Sequence, residues 1–284
     1  MAKLKTTPIT QSDLAEHLAT SGDFAFEMQI LRTIRSLGLA CEHGGHYEDP
    51  ITKKSREFDI RAMHSLGITK SRFAIECKNI RENFPVLISC VRRNESEAFH
   101  EFVAIEAPSP QVIPIGLPLR LIVHRASHSP LYDVGGWVGK SIEQVGRDTQ
   151  GGLTANDSDI YDKWGQALAS LQDLIDQAGD DEPPARSFGL RAVLPMVVVP
   201  NTRLWAVCYG EDGAIVETPH RVDRVSCYVN KVYRVGVPLI GAHLTLSHLE
   251  IVTEQGLRDL LTGLEKFALY PNTAMDAVRQ RLNA

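Results

Sequence analysis

Apolar and polar positions recur along this chain with two periods, which predict helices and strands respectively. Apolar residues recur at helical spacing over residues 24–37 and from about 157 to 177. Further helices are predicted near 11–19 and over 254–267, the latter opened by Thr253. Period-two alternation and short β-branched runs predict strands at 39–47, 57–63, 72–78, 86–91, 192–199, 204–209, 225–233 and 243–252. The pattern therefore indicates an α/β protein.

The predicted elements suggest a single domain of 284 residues interrupted by one insertion. Residues 101–156 contain many prolines and glycines around one apolar run, which is typical of irregular structure. We expect the core to comprise residues 20–100 and 157–210, and residues 211–284 to form a C-terminal α+β elaboration. Strands 192–199 and 204–209 are expected to be joined by a tight turn and to complete the core sheet.

Three polar side chains lie on two neighbouring predicted strands. Asp59 alternates with apolar residues in the first strand, and Glu76 and Lys78 do so in the second. The segment between them contains Gly67 and several polar residues, so the two strands are predicted to be antiparallel. If their register permits, two carboxylates and one ammonium share one face of the sheet.

Such a cluster has a definite chemistry. Two carboxylates held close together repel each other, so they either raise a pKa or hold a cation. Oxygen ligands suit Mg²⁺ or Mn²⁺, and a bound divalent ion polarises a phosphoryl oxygen and lowers the cost of forming hydroxide. Lys78 would then orient the water or neutralise charge on phosphorus. The pattern predicts phosphodiester hydrolysis.

The same residues carry a family resemblance. Asp59, sixteen intervening residues and Glu76-Cys77-Lys78 on a hydrophobic strand resemble the motif of the PD-(D/E)XK nuclease superfamily, although Phe58 stands where the name-giving form has proline. The resemblance implies a restriction-endonuclease-like core with a mixed central β-sheet flanked by helices. It also implies that Asp59, Glu76 and the Cys77 carbonyl bind Mg²⁺ or Mn²⁺, with Lys78 positioning the attacking water.

The resemblance extends to the predicted helices. Superfamily members commonly place a glutamate on the helix before the first core strand, and Glu27 precedes Leu31 and Ile34 by four and seven residues, beside the apolar stripe. Glu27 would support a second metal ion or orient the first, and the alternative is that it only complements the helix dipole. A glutamine or lysine on the second core helix often assists the site, which makes Gln166 and Lys163 candidates.

The charge distribution limits how a nucleic acid would bind. A net charge of −5 excludes a wholly basic coating surface, so binding requires a local groove. Basic residues do cluster near the predicted site, although solvated surface charge explains each one individually. The candidate phosphate contacts are Lys53, Lys54, Arg56, Arg81, Arg92 and Arg93. By resemblance we expect the substrate to be DNA, with RNA as the alternative, and the activity to be that of an endonuclease.

Other interpretations are weaker. The glycine-rich residues 135–141 invite a phosphate-loop interpretation, but Val134 stands where a Walker A loop needs glycine. Residues 41–46 lack the second ligand pair of a zinc site, and no nucleophile elbow accompanies Cys208 or Ser247. The main alternative is a catalytically silent nuclease-fold module that binds nucleic acid or a protein.

Composition adds the cellular setting. The chain is 43% hydrophobic, as in globular proteins, and no run approaches the ~18 apolar residues of a membrane span. The first residues lack the apolar core of a signal peptide, and the five cysteines form no C-x-x-C pair. We expect a cytoplasmic protein with reduced cysteines and no membrane partner.

Overall fold

The computed structural model describes residues 6–106, 120–127, 129–156, 158–180, 188–235 and 242–265. Within these residues, four helices flank a mixed sheet of 13 strands. The helices are α1 (Gln11–Ser21), α2 (Phe24–Ser36), α3 (Ser158–Asp180) and α4 (Glu254–Thr262). The strands are β1 (Ala40–Glu48), β2 (Ser55–Leu66), β3 (Thr69–Cys77), β4 (Val86–Arg92), β5 (Phe99–Glu106), β6 (Arg120–Ser127), β7 (Trp137–Arg147), β8 (Leu153–Asn156), β9 (Phe188–Val199), β10 (Leu204–Tyr209), β11 (Ile215–Arg221), β12 (Arg224–Val235) and β13 (Ala242–Thr253).

The sheet begins with an antiparallel meander and continues with parallel neighbours. Strands β1, β2 and β3 pair antiparallel in sequence, and β9, which follows α3, pairs parallel to β3. The strand order is β1-β2-β3-β9-β13-β12-β7-β4-β10-β11, while β5, β6 and β8 lie off this path. The α/β class and the mixed sheet flanked by helices are as the sequence predicted.

Alternate residues of the central strands pack on opposite faces of the sheet. Ala74 of β3 and Val197 of β9 belong to the core that includes the buried stripe of α3. Phe73 and Ile75 of β3 belong to the other core, together with α2 and α4. Because side chains alternate along a strand, Glu76 points to the same face as Ala74, which is the face that α3 covers.

Residues 101–156 are not irregular where the structure describes them, and this prediction was wrong. They contain β6, β7, β8 and most of β5, and β7 lies between β12 and β4 with Val138 and Ile142 buried. Gly139 belongs to strand β7, where a Cβ would lie 2.6 Å from Cys227 Sγ. Its glycine therefore reflects close packing rather than a loop. Residues 107–119, with most of the prolines, lie outside the described residues.

The glycine-rich segment that invites a nucleotide-binding interpretation leads into a strand. Gly135 has a φ of +74° in a turn, and β7 begins at Trp137. A phosphate loop instead leads into the N-terminus of a helix. The structure therefore agrees with the rejection of that interpretation.

Strands β9 and β10 follow one another but are not paired, so the turn between them does not form a hairpin. β9 pairs with β3, β5 and β13, whereas β10 pairs with β4 and β11. The connecting turn is held from both sides, since Asn201 Oδ1 accepts a hydrogen bond from the Gln255 N–H and the Arg203 carbonyl accepts one from Val86.

The C-terminal part is integral to the sheet. β13 lies between β9 and β12, and its residues Leu249 and Ile251 are fully buried. Thr253 caps α4 as predicted, because its Oγ1 accepts a hydrogen bond from the Gly256 N–H. The predicted helix ends earlier, at Thr262, and the polar tail from residue 266 is outside the described part of the chain. No helix within the described ranges is both long and apolar enough to cross a membrane.

Candidate active site

Asp59 and Glu76 face each other across β2 and β3. The antiparallel register pairs Ile60 with Ile75, so Asp59 and Glu76 occupy the next pair of positions. Both are buried: Asp59 is 8% exposed and Glu76 is 0% exposed. Asp59 Oδ2 accepts a hydrogen bond of 2.7 Å from the Cys77 N–H, which fixes the orientation of its carboxylate. The two carboxylates share one face of the sheet, as their alternation predicted.

The cation between these carboxylates is Lys163 of α3. Its Nζ lies 2.6 Å from Asp59 Oδ2 and 3.2 Å from Glu76 Oε2. Lys163 precedes the buried helix residues Ala167 and Leu171 by one and two turns, so it lies on the stripe that packs against the sheet. Of the two helix candidates, the structure brings this one to the carboxylates.

Lys78 lies beyond the carboxylates and has a different partner. β3 ends at Cys77, and Lys78 Nζ lies 3.2 Å from Asp23 Oδ2. Asp23 Oδ1 also accepts a hydrogen bond of 2.9 Å from the Asn79 N–H. Asp23, just before α2, thus holds the chain as it leaves the strand. The structure does not bring the Lys78 ammonium to Asp59 and Glu76 as predicted, because this ammonium pairs with Asp23 instead.

Burial and neighbouring charges shift the pKa values of Glu76 and Lys163. Burial, with the nearby Asp59 carboxylate, raises the pKa of Glu76 to about 8, even though Lys163 acts in the opposite direction. Burial alone would lower the pKa of Lys163, but Glu76 and Asp59 outweigh it and raise that pKa above its ordinary value. Glu76 Oε1 is buried without a hydrogen-bond partner in the described part of the chain. Glu76 Oε1 can therefore accept a hydrogen bond from a further donor or bind a cation.

Glu27 lies at the edge of this cluster. Its Oε2 is 3.1 Å from His43 Nε2 of β1, and burial together with the Asp59 carboxylate raises the pKa of Glu27. It is thus close enough to Asp59 to interact electrostatically, although its own hydrogen bond is to His43. Across the described ranges, no three His, Cys, Asp or Glu side chains are placed to hold a metal ion together.

Gln166, the other helix candidate, lines a different cleft, together with Tyr47 and Arg56. Its backbone carbonyl accepts a hydrogen bond of 3.4 Å from the Tyr47 hydroxyl. The structure therefore does not bring Gln166 into the carboxylate cluster.

Two of the predicted phosphate contacts, Arg92 and Arg93, lie against the turn that precedes β7. Arg93 is only 5% exposed and donates to the carbonyls of Asp133 and Trp137, so it is not available to a phosphate. The guanidinium of Arg92 stacks 3.7 Å from the centre of the Trp137 ring and donates to the Gly135 carbonyl. Both arginines hold the turn that precedes β7.

The remaining candidates lie in two places. Lys53, Lys54 and Arg56 belong to the β1–β2 connection and the start of β2, where Arg56 pairs with Asp49 at 2.9 Å. Arg81 is exposed and follows Lys78 by three residues, next to the candidate active site. Of the six basic residues, Arg81 is the one that lines the cleft shared with Lys78.

Sequence reasoning missed Asp23 and His43 as members of this region. Asp23 stands immediately before α2, where its side chain makes no capping hydrogen bond and binds Lys78 instead. His43 was noticed only as part of a zinc segment, which the structure shows to be strand β1. Alternation along β1 is the sequence signal that could have placed the side chain of His43, because His43 and Cys41 share one face of that strand.

No family model, no curated protein and no solved structure matches this chain. The class that the structure itself defines is an α/β protein with a large mixed sheet and a buried carboxylate pair.

Proposed function

We propose that this chain is a divalent-metal-dependent nuclease that hydrolyses phosphodiester bonds of DNA as an endonuclease. The observation that carries the proposal is the buried pair Asp59 and Glu76, of which Glu76 keeps one oxygen without a hydrogen-bond partner. A buried carboxylate of this kind is costly unless a proton or a cation compensates it. Perturbed carboxylates of this kind cluster at catalytic sites.

The order of elements supports a restriction-endonuclease-like core. Helix α2 precedes the antiparallel meander β1-β2-β3, and helix α3 then leads into β9, which is parallel to β3. The predicted elements follow the same order, with a fourth strand at 86–91 before the second helix and two strands expected to complete the sheet after it. Strands β4 to β8 lie between β3 and α3 in sequence.

The donor set fits a hard divalent cation. Asp59, Glu76 and the backbone carbonyl of Cys77 would hold Mg²⁺ or Mn²⁺, because all three offer oxygen ligands at neighbouring positions. When bound, the ion would polarise a phosphoryl oxygen and supply hydroxide at neutral pH. Glu27, held by His43, would orient this ligand set from the edge of the cluster.

The resemblance implies a catalytic role for Lys78 alone, but here two lysines, Lys163 and Lys78, share that role. The Lys163 ammonium lies within hydrogen-bond distance of both carboxylates, so we assign to Lys163 the orientation of the attacking water and the neutralisation of charge on phosphorus. Lys78 is two residues from Glu76 and partly exposed, and contacts a substrate phosphate nearby.

Cleavage assays test this proposal. Circular and linear DNA, single-stranded DNA and RNA are incubated with Mg²⁺, Mn²⁺ or EDTA, using wild type, Glu76→Gln and Glu250→Gln. Glu250 is an equally buried glutamate, paired with Arg224 outside the site, and provides the matched control. We expect cleavage that EDTA abolishes and that Glu76→Gln lowers by roughly a hundredfold or more. Unchanged cleavage by Glu76→Gln would exclude the assignment.

A second candidate function is a catalytically silent nuclease-fold module that binds nucleic acid or a protein. One observation favours it: the Lys163 ammonium pairs with both Asp59 and Glu76, so a cation of the protein itself already lies between the carboxylates. Such a module would cleave no substrate, and its binding would be indifferent to Mg²⁺. The same assays therefore separate the two functions.

A further inference from the structure

A cleft of about 460 Å³ opens where the chain leaves β3. Residues 78–84 form one side of it and strands β7 and β8 contribute the other. Lys78 continues the path of β3 here, because its N–H donates to the Val198 carbonyl of β9. The charged and aromatic side chains of its lining are Asp23, Lys78, Arg81, Phe84, Arg147 and Asp159.

The cleft lies beside the candidate active site. Residues four apart on a helix lie on the same side one turn from each other, and residues two apart on a strand lie on the same face. Three elements each place one residue in the cleft and a second, at this spacing, in the active-site cluster. These pairs are Asp23 at the N-cap and Glu27 in the first turn of α2, Lys78 just after β3 and Glu76 within it, and Asp159 and Lys163 on α3.

The lining residues include cations of the kind that bind the phosphates of a nucleic-acid strand. Lys78, Arg81 and Arg147 outnumber the two carboxylates of the cleft, in a chain whose net charge is −5. Local cations of this kind contact phosphates.

An aromatic ring adds a surface for a base. Phe84 is partly exposed and packs against Gly146, where a Cβ would lie 2.6 Å from the ring. Aromatic rings beside basic grooves stack single-stranded bases. The cleft thus offers both contacts that a strand needs.

We propose that this cleft binds a single strand of nucleic acid and leads its backbone to Asp59 and Glu76, an inference that rests on the nuclease function proposed above. The volume is that of a small-ligand pocket, about 300–1,000 Å³, so it holds a nucleotide or two rather than a duplex. Lys78, Arg81 and Arg147 contact successive phosphates, and one base stacks on Phe84. The substrate class is therefore a single strand or an unpaired end.

Binding without cleavage tests this inference. Fluorescence anisotropy in EDTA measures the affinity of a labelled single-stranded DNA, the same sequence in RNA, and the corresponding duplex. Wild type, Arg147→Ala and Arg81→Ala are compared with Arg35→Ala, which removes an exposed cation in the last turn of α2. Arg81 is the second variant because Arg147 also donates to the Gly151 carbonyl and its loss could disturb the hairpin. The DNA and RNA strands show which sugar the cleft accepts.

We expect the single strand to bind at least several-fold more tightly than the duplex. Each cleft variant should weaken it about three- to tenfold and reduce the slope of log affinity against log salt by about 0.7, while Arg35→Ala stays close to wild type. Equal affinity for the duplex, or Arg35→Ala weakening binding as much as the cleft variants do, overturns the inference. Metal-dependent cleavage with unaltered binding by both cleft variants would refute the cleft alone. Cleft-dependent binding without any cleavage would refute the nuclease instead.

Discussion

Asp59 and Glu76 bring two carboxylates into a buried site, where both pair with the single ammonium of Lys163. A divalent ion between the carboxylates would have to compete with that ammonium, because both are attracted to the same oxygens. Lys78 is engaged with Asp23 and does not compete in this way. The two lysines therefore have separable effects on metal binding and on cleavage.

Replacing each lysine by methionine distinguishes their roles. Lys163→Met should bind Mn²⁺ more tightly than wild type, because a competing positive charge is gone, yet should cleave roughly a hundredfold more slowly. Lys78→Met should leave Mn²⁺ affinity unchanged and weaken cleavage chiefly through KM. Titration with Mn²⁺ and steady-state kinetics measure the two quantities. The opposite pattern, with Lys78→Met losing kcat and Lys163→Met keeping it, would return the catalytic role to Lys78.

The raised pKa of Glu76 predicts how stability depends on pH. Its pKa is about 8 in the folded protein and about 4.5 when unfolded. Between these values the folded state holds the extra proton, so the free energy of unfolding should fall as pH rises, by up to about 1.4 kcal/mol per pH unit from this group. Urea unfolding in EDTA should show this slope in wild type and in Glu250→Gln, and a flatter dependence in Glu76→Gln. Equal slopes in all three proteins would show that Glu76 is not perturbed.

Residue-level prediction succeeded where alternation alone decides the answer. Asp59 and Glu76 could be placed on one face because each strand has period two and their register is local. Lys163 could not be selected over Gln166, because the rotation of α3 over the sheet depends on packing against β2 and β3. The residues that Lys163 contacts there, Asp59 and Glu76, lie 104 and 87 residues away in sequence. The partner of Lys78 was equally hidden, since Asp23 is brought to it only by tertiary structure.

At the scale of the elements, periodicity located most helices and strands but did not identify β5, although its Phe102, Val103 and Ile105 are buried, nor β11. Strand β11 is exposed along its whole length, and its apolar residues Ile215 and Val216 are adjacent rather than alternating. In β7, Gly139 and Gly146 resemble loop residues in the sequence, whereas both belong to the strand and give room to Cys227 and Phe84. Glycine content was therefore a misleading guide to loops in this segment.

A pair of glycine substitutions tests this explanation of β7. Gly139→Ala would place a Cβ 2.6 Å from Cys227 Sγ and 2.8 Å from Ile88, so we expect a loss of about 1–3 kcal/mol in the free energy of unfolding. Gly165→Ala in α3 meets no atom within 4 Å and should instead gain up to about 1 kcal/mol from helix propensity. Urea unfolding of both variants gives the comparison. A tolerated Gly139→Ala would mean that β7 does not pack as described.

At the scale of the whole molecule, one sheet joins segments that the sequence separates. β13 lies between β9 and β12, and β7 connects β12 with β4, so the predicted insertion and C-terminal elaboration both contribute central strands. Hydrophobic patterns identify strands but do not say which distant strands pair, because partners are chosen by packing across the folded sheet. The fold class was accordingly predictable, and the strand order was not.

The measurement that tests the central claim most directly is a calorimetric titration of Mg²⁺ and Mn²⁺ into wild type, Asp59→Asn and the control Glu250→Gln. If Asp59 and Glu76 hold a catalytic cation, wild type and Glu250→Gln should bind it alike, and Asp59→Asn should bind about ten- to a hundredfold more weakly while remaining folded by circular dichroism. Indistinguishable titrations for wild type and a folded Asp59→Asn would contradict the metal site and the nuclease built on it.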